Sequence, residues 1–241
     1  MDDTAERQKS VGLPSSARLY EREYDYWPWG KVISFVASWI EANAPKSARV
    51  LDYMCGTGFL LHKVMNSRPD LDCYGCSLID EYITFAKQAY PEIAFEGCDA
   101  RKYVPPKPPD IVLCTAGLHH LPYEEQAGFV AKVASELAPG RWFVIGEELV
   151  APSNHEEGRR LAALDLLVEA IKYMIAKRSP PDVLGTATEV LKADLTLQEY
   201  KLDRDRLMRM LAPFFVVQSV ERLWPAEEKG FGDFVFICCR R

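Results

Sequence analysis

The sequence predicts an α/β fold: a doubly wound, mostly parallel seven-stranded sheet with a terminal antiparallel hairpin and a helical cap insertion. Three observations predict it. Strand-sized apolar runs alternate with helical patterns five times between residues 30 and 146, which implies a parallel sheet covered on both faces. The alternation then stops, and about 55 residues with helical spacing follow. Two apolar strands, 215–220 and 233–238, end the chain on either side of a polar loop and read as a hairpin.

The elements follow in order. Residues 1–18 are polar and mixed in charge, lack the apolar centre of a signal peptide, and are expected to form a mobile tail. Residues 19–29 are rich in aromatics, among them Tyr20, Tyr24, Tyr26, Trp27 and Trp29. From Lys31 to Ala44, the residues Val32, Phe35, Val36, Trp39 and Ile40 share one helical face, and Pro45 ends the helix. Strand β1 is expected over 49–53 and a helix over 59–67, stopping before Pro69. Strand β2 is expected over 72–76, a helix carrying Tyr82, Ile83, Phe85 and Ala86 over 80–89, and β3 over 93–97. Val104–Pro109 is a stiff proline connector. Strand β4 over 110–115 leads into Leu118-His-His-Leu-Pro122, a helix over 123–137, and β5 over 142–146. Pro152-Ser-Asn reads as the cap of a long helix over 155–177, whose apolar face is Leu161, Leu164, Leu167, Val168, Ile171 and Ile175. Shorter helical pieces are expected near 186–193 and 203–211. The implied organisation is a tail and aromatic lid (1–29), a core (30–150), a cap (151–212) and a terminal hairpin (213–241).

Composition narrows the function classes. In 241 residues, 48% hydrophobic content supports one core, and a net charge of −6 argues against a nucleic-acid backbone as partner. The longest apolar runs are strand-sized, so no membrane span is expected. The 7 cysteines, an odd number scattered through core segments, suggest reduced thiols and a cytoplasmic protein. Cys73-Tyr-Gly-Cys76 has CxxC spacing without a second pair, so these thiols are expected to be buried filler and no metal site is expected.

Residues 50–58, Val-Leu-Asp-Tyr-Met-Cys-Gly-Thr-Gly, carry the most specific signal. A strand ends in a carboxylate, a small-residue turn follows, and an apolar helix begins. That order places backbone N–H groups and a helix N-terminus beside a ligand at the carboxyl end of a sheet. The stretch resembles motif I of the class I S-adenosylmethionine (SAM)-dependent methyltransferases, with Met54 standing where the first glycine usually is. The terminal hairpin is likewise similar to that family's seven-stranded fold, whose last strand runs antiparallel. The resemblance spans about residues 30–150 and 213–240.

The resemblance implies site residues. Asp52 would accept from the SAM ammonium, with Met54, Gly56 and Gly58 forming the turn beneath it. At the end of β2, where the family places an acid on the ribose, this chain has Ser77, followed by Leu78; Asp80 and Glu81 are the alternative ribose contacts but more readily favour their helix dipole. Asp99 and Ala100 match the adenine-binding turn, and Thr115 follows at the end of β4. His119 or His120 would be the base for a hydroxyl or amine, since a neutral imidazole suits that task, or would only fix the loop. Tyr20 and Tyr26 are expected over the cofactor, and Trp27, Glu147 and Tyr173 at the acceptor; Met174, Tyr200, Met208 and Met210 are further lining candidates. The implied activity is O- or N-methylation of a small, natural-product-like acceptor, with S-adenosylhomocysteine (SAH) as product, by a monomer or homodimer with neither nucleic-acid nor membrane partner. The alternative keeps the fold but binds SAM or SAH without methyl transfer, as a regulator, binding subunit or cyclase-like enzyme. A nicotinamide-dependent oxidoreductase fits poorly, because GxGxxG spacing is absent.

Overall fold

The computed structural model describes residues 16–196, 198–227 and 229–241; the expected tail lies almost wholly outside them. The chain begins with α1 (Ala17–Tyr26) and α2 (Gly30–Asn43). Then come β1 (Arg49–Tyr53), α3 (Phe59–Ser67), β2 (Asp72–Ser77), α4 (Asp80–Ala89), β3 (Ala94–Gly97) and β4 (Ile111–Thr115). A single 3₁₀ turn at Leu118–His120 precedes α5 (Tyr123–Glu136) and β5 (Trp142–Leu149). The insertion contains α6 (Glu156–Ala176), α7 (Pro181–Gly185), α8 (Ala187–Leu195) and α9 (Arg204–Leu211), and β6 (Phe215–Trp224) and β7 (Gly232–Arg240) complete the sheet.

The strand order is β3-β2-β1-β4-β5-β7-β6. β7 runs antiparallel between β5 and β6, and the other six strands are parallel. The order reverses between β1 and β4, which opens a crevice at the carboxyl ends of these strands. Alternate residues of each strand face opposite layers. Val50, Ile111, Leu113 and Val144 pack with Val32, Val36 and Ile40 of α2, while Leu51, Val112, Phe143 and Ile145 pack with Phe129, Val130 and Val133 of α5.

Three local expectations are corrected. β5 runs three residues beyond 146, because Glu147, Glu148 and Leu149 pair with Phe234, Asp233 and Gly232 of β7. The cap of α6 is His155, whose Nδ1 accepts from the Gly158 N–H at 3.0 Å, rather than the Pro-Ser-Asn run. The packed face of α6 is also rotated from the expected one. Leu161, Val168 and Ile175 are exposed, at 57%, 47% and 59%, while the expected Leu167 is buried together with Ala162, Ala163, Leu166, Ala170 and Met174. Alanine lets neighbouring helices approach closely, so small side chains define the contact here and larger ones face outward.

Candidate functional site

A cavity of about 390 Å³ opens at the carboxyl ends of β1, β2 and β4 and at the turn after β3. Its floor includes Met54, Gly56, Ser77 and Asp99; α1 contributes Tyr20 and Glu23, and the insertion contributes Glu189, Glu199 and Lys201. The α1 helix is tied to the insertion above this floor. Arg22 pairs with Asp182 at 2.5 Å, and the Trp27 indole N–H donates to Thr186 Oγ1 at 3.2 Å.

The turn after β1 uses left-handed backbone at Met54 (φ 60°), Gly56 (φ 54°) and Gly58 (φ 79°). A Cβ on Gly58 would stand 2.4 Å from the Phe95 ring, so only glycine fits there. Gly58 is the residue before α3 and does not line the cavity. Met54 adopts the glycine-type conformation at a cost of about 1–3 kcal/mol, and its side chain packs over Gly117. Asp52 is 1% exposed, and its Oδ1 has no hydrogen-bond partner. Burial pushes its carboxyl up to about 8. Asp52 lies with Thr115 in a recess of about 20 Å³ that shares Tyr20, Trp29 and Met54 with the main cavity. The Tyr20 ring stacks on Tyr82 at 4.9 Å and covers Gly56.

Ser77, Leu78, Asp99 and Ala100 all line the cavity, whereas Asp80 and Glu81 do not. Asp99 is not free: its Oδ1 accepts from the Arg101 N–H at 3.0 Å and from Arg101 Nε at 2.8 Å, and its Oδ2 from Nη2. Burial works against the Asp99 charge, but these bonds hold its carboxyl below the ordinary value. Arg101 also donates to Glu125 at 2.6 Å, which anchors the turn to α5.

At the end of β4, the loop Ala116–His120 is organised by one buried carboxylate. Glu147 Oε1 accepts from the N–H groups of Gly117 (3.1 Å) and Leu118 (2.7 Å), and Oε2 lies 2.6 Å from His119 Nδ1. Glu147 faces the recess, not the main cavity, so it positions the loop where sequence reasoning expected it at the acceptor. His119 Nε2 sits 3.1 Å from Glu199 Oε2, and His120 Nδ1 sits 3.3 Å from Glu199 Oε1. Burial opposes a charge on His119, but Glu147 and Glu199 outweigh it and hold the imidazole well above its ordinary value. With both ring nitrogens engaged by carboxylates, His119 offers no free nitrogen to act as a base. Burial likewise opposes the Glu199 charge, and His120 and His119 hold it well below the ordinary value.

Beside this group, Lys201 donates to Asp194 at 2.6 Å and lies 3.7 Å from Glu148. Burial opposes the Lys201 charge, but Asp194 and Glu148 outweigh it, so its ammonium titrates higher than usual. Glu199 and Lys201 reach the site because the segment after α8 lies along the loop: the Tyr200 N–H donates to the His119 carbonyl at 2.7 Å, and Val150 N–H to the Leu202 carbonyl at 2.9 Å. Gln126, 0% exposed, fixes both sides by donating to the carbonyls of Leu121 and Tyr200.

Trp27, His119 and His120 line the cavity as expected, and so does Tyr200. Tyr26 and Tyr173 line neither space. Tyr173, on α6, packs edge-on to Trp224, and Met174, Met208 and Met210 belong to the core or its margin. Glu199, Lys201, Asp194, Arg101 and Glu23 were missed. None carries a motif; for Asp194, Glu199 and Lys201 the available signal was charge within the expected cap.

Residues 50–140 match the family described as a methyltransferase domain. A trans-aconitate 2-methyltransferase of Variovorax paradoxus (strain S110) is 29% identical over 114 residues, which is 47% of this chain and 42% of that one. The match thus spans under half of that curated relative. Among solved structures, the plantazolicin methyltransferase BpumL in complex with SAH has a TM-score of 0.62 at 11% identity and covers 100% of this chain and 98% of that one. The magnesium protoporphyrin IX methyltransferase ChlM from Synechocystis PCC 6803 with bound SAM has a TM-score of 0.57 at 15% identity, covering 87% of this chain and 78% of that one. No helix among the described residues is long and apolar enough to cross a membrane. Residues 50–140 thus match a methyltransferase domain, and the seven-stranded sheet has the fold of the methyltransferase structures it resembles.

Proposed function

We propose that this protein transfers a methyl group from SAM to an oxygen or nitrogen of a small-molecule acceptor. The observation that carries the reading is one cavity with two unlike ends. One end is the glycine turn with Ser77 and Asp99–Ala100; the other is the charged group of His119, His120, Glu199 and Lys201. Its volume of about 390 Å³ suits small molecules, and its cover by α1 and the insertion disfavours a protein or nucleic-acid substrate.

The residues fit SAM. The orphaned Asp52 Oδ1 is a buried acceptor in need of a donor, and an ammonium would satisfy it. Tyr20, Trp27 and Trp29 offer aromatic faces to a sulfonium. SAM supplies an already activated methyl group, so this chain's task is to hold the acceptor in line and exclude water. Asp52 shares its recess with the rings of Tyr20 and Trp29 and with Met54, so SAM entry requires one of them to shift. The acceptor end holds Glu148, Glu189 and Glu199 against Lys201, already paired with Asp194. This excess of carboxylates favours a hydroxyl- or amine-bearing acceptor. It disfavours a polyanion such as the trans-aconitate named for the curated relative. With His119 committed, His120, a third exposed at its side chain, is the base candidate.

One observation favours the second reading, binding without transfer: Tyr20 covers Gly56 while Ser77 replaces a carboxylate. Calorimetric titration with SAM and SAH separates these readings from none. One-to-one binding is expected, and no binding of either at millimolar concentration sinks both. SAH released in step with a methylated product eliminates the second.

A further inference from the structure

We propose that His119, His120 and Glu199 form a site for one divalent transition-metal ion of the zinc class at the acceptor end of the cavity. One donor atom from each of the three lies within 4.8 Å of the others. The Glu199 carboxylate spans the two imidazoles, with Oε2 at 3.1 Å from His119 Nε2 and Oε1 at 3.3 Å from His120 Nδ1. A tetrahedral ion with bonds near 2.0–2.1 Å separates its ligands by about 3.4 Å, so each imidazole already stands at ligand-to-ligand spacing from the carboxylate.

Three further observations point the same way. His120 Nδ1 and Glu199 Oε2 are buried atoms whose contacts, to Glu199 at 3.3 Å and to His119 at 3.1 Å, lack hydrogen-bond geometry. The other ring nitrogen of His119 lies 2.6 Å from the buried Glu147 carboxylate, an arrangement that fixes tautomer and ring orientation in metal-bound histidines. The donors are also rigidly mounted, since Tyr200 N–H binds the His119 carbonyl and Gln126 ties the Tyr200 carbonyl to the loop. Imidazole and carboxylate donors suit zinc and its neighbours. Three protein ligands with the remaining side open to the cavity match the format of reactive rather than structural sites.

The use of such an ion rests on the proposed methyl transfer, although its binding does not. An acceptor hydroxyl or amine on the open side would lose its proton more readily. With His120 bound to the ion it no longer serves as the base, and the proton leaves to water at the cavity mouth. The acceptor atom then bonds to the methyl carbon as the carbon–sulfur bond breaks, and that electron pair stays on the sulfur of SAH.

The test is titration of the full chain, freed of metal by chelator, with Zn²⁺ by calorimetry and with Co²⁺ by visible absorption. The expected result is one equivalent of Zn²⁺ and Co²⁺ bands of nitrogen and oxygen ligation. Glu199→Gln and His120→Ala should each weaken binding at least tenfold. The His120 side chain is a third exposed, so this second variant retains the fold and keeps the test valid if Glu199→Gln unfolds. Absence of saturable one-equivalent binding up to millimolar Zn²⁺ overturns the proposal. So do thiolate charge-transfer bands, which would place Co²⁺ on the cysteines, or an affinity unchanged in His120→Ala. SAM titration of the metal-free chain tests the methyl-transfer reading separately.

Discussion

Two carboxylates that share the recess beside the cavity are held in opposite ways. At the head of β1, Asp52 is buried with an orphaned oxygen and is pushed up to about 8 by burial alone. At the head of β5, Glu147 is as deeply buried, yet receives two backbone N–H groups and the His119 ring. The first is an unmet demand for a donor, as a ligand site requires. The second is a satisfied network that shapes a loop. Burial therefore does not separate binding from support; the partner list does.

Removing each carboxylate sharpens that contrast, and the larger effect belongs to Glu147. Glu147→Ala strands two buried N–H groups and leaves His119 with one carboxylate fewer. The expected loss is about 3–5 kcal/mol, or a melting point lower by about 10 °C. Thermal unfolding with Glu147→Gln alongside reads it, since glutamine keeps a neutral acceptor and should lose less. A change below about 1 kcal/mol for Glu147→Ala would mean that the network does not hold the loop.

Asp52→Asn should do the reverse to stability while harming ligand binding. The folded-state value of Asp52 lies above the ordinary 3.8, so the folded protein holds this proton more tightly than the unfolded chain. Its stability contribution is full below about pH 4 and is lost as pH rises through about 8. His119, also raised, contributes fully below about pH 6.5 and loses its share only above its folded-state value. Asp52→Asn should flatten the decline towards pH 8 and leave the later one. SAM affinity should fall roughly tenfold to a hundredfold, as expected for a charged hydrogen bond of about 1.5–3 kcal/mol. Denaturant unfolding between pH 5 and 9, with calorimetry at pH 7, checks both; unchanged SAM affinity would remove Asp52 from the cofactor site.

The turn after β1 and the charged end of the cavity also differ in how far they can be read from sequence. The strand, turn and helix around Asp52 are contiguous, and their glycines and apolar periods reflect local backbone demands. The order of sheet and helices was legible for the same reason. The acceptor end joins residues 119–120, 147–148 and 199–201 through pairings such as Tyr200 N–H to the His119 carbonyl. No period or motif encodes such contacts between distant segments. The α6 helix failed differently: its larger side chains suggested one face, but the packed face is built on Ala162, Ala163 and Ala170, where close approach decides.

Met54 provides the smallest expected effect and the finest test of the cofactor end. It stands at φ 60° where glycine would be unstrained, and it borders both the cavity and the Asp52 recess. Met54→Gly removes the left-handed strain of about 1–3 kcal/mol. The same change loses a packed side chain over Gly117 and loosens the unfolded chain, so net stability should move by no more than about 1 kcal/mol. The recess would open, and SAM should bind up to roughly tenfold tighter, about 1.4 kcal/mol. Side-by-side calorimetry of wild type and Met54→Gly decides between two roles. Tighter binding means that Met54 restricts a cofactor site otherwise built for SAM. Weaker binding means that the methionine itself packs on the ligand and that the departure from glycine is an adaptation to it.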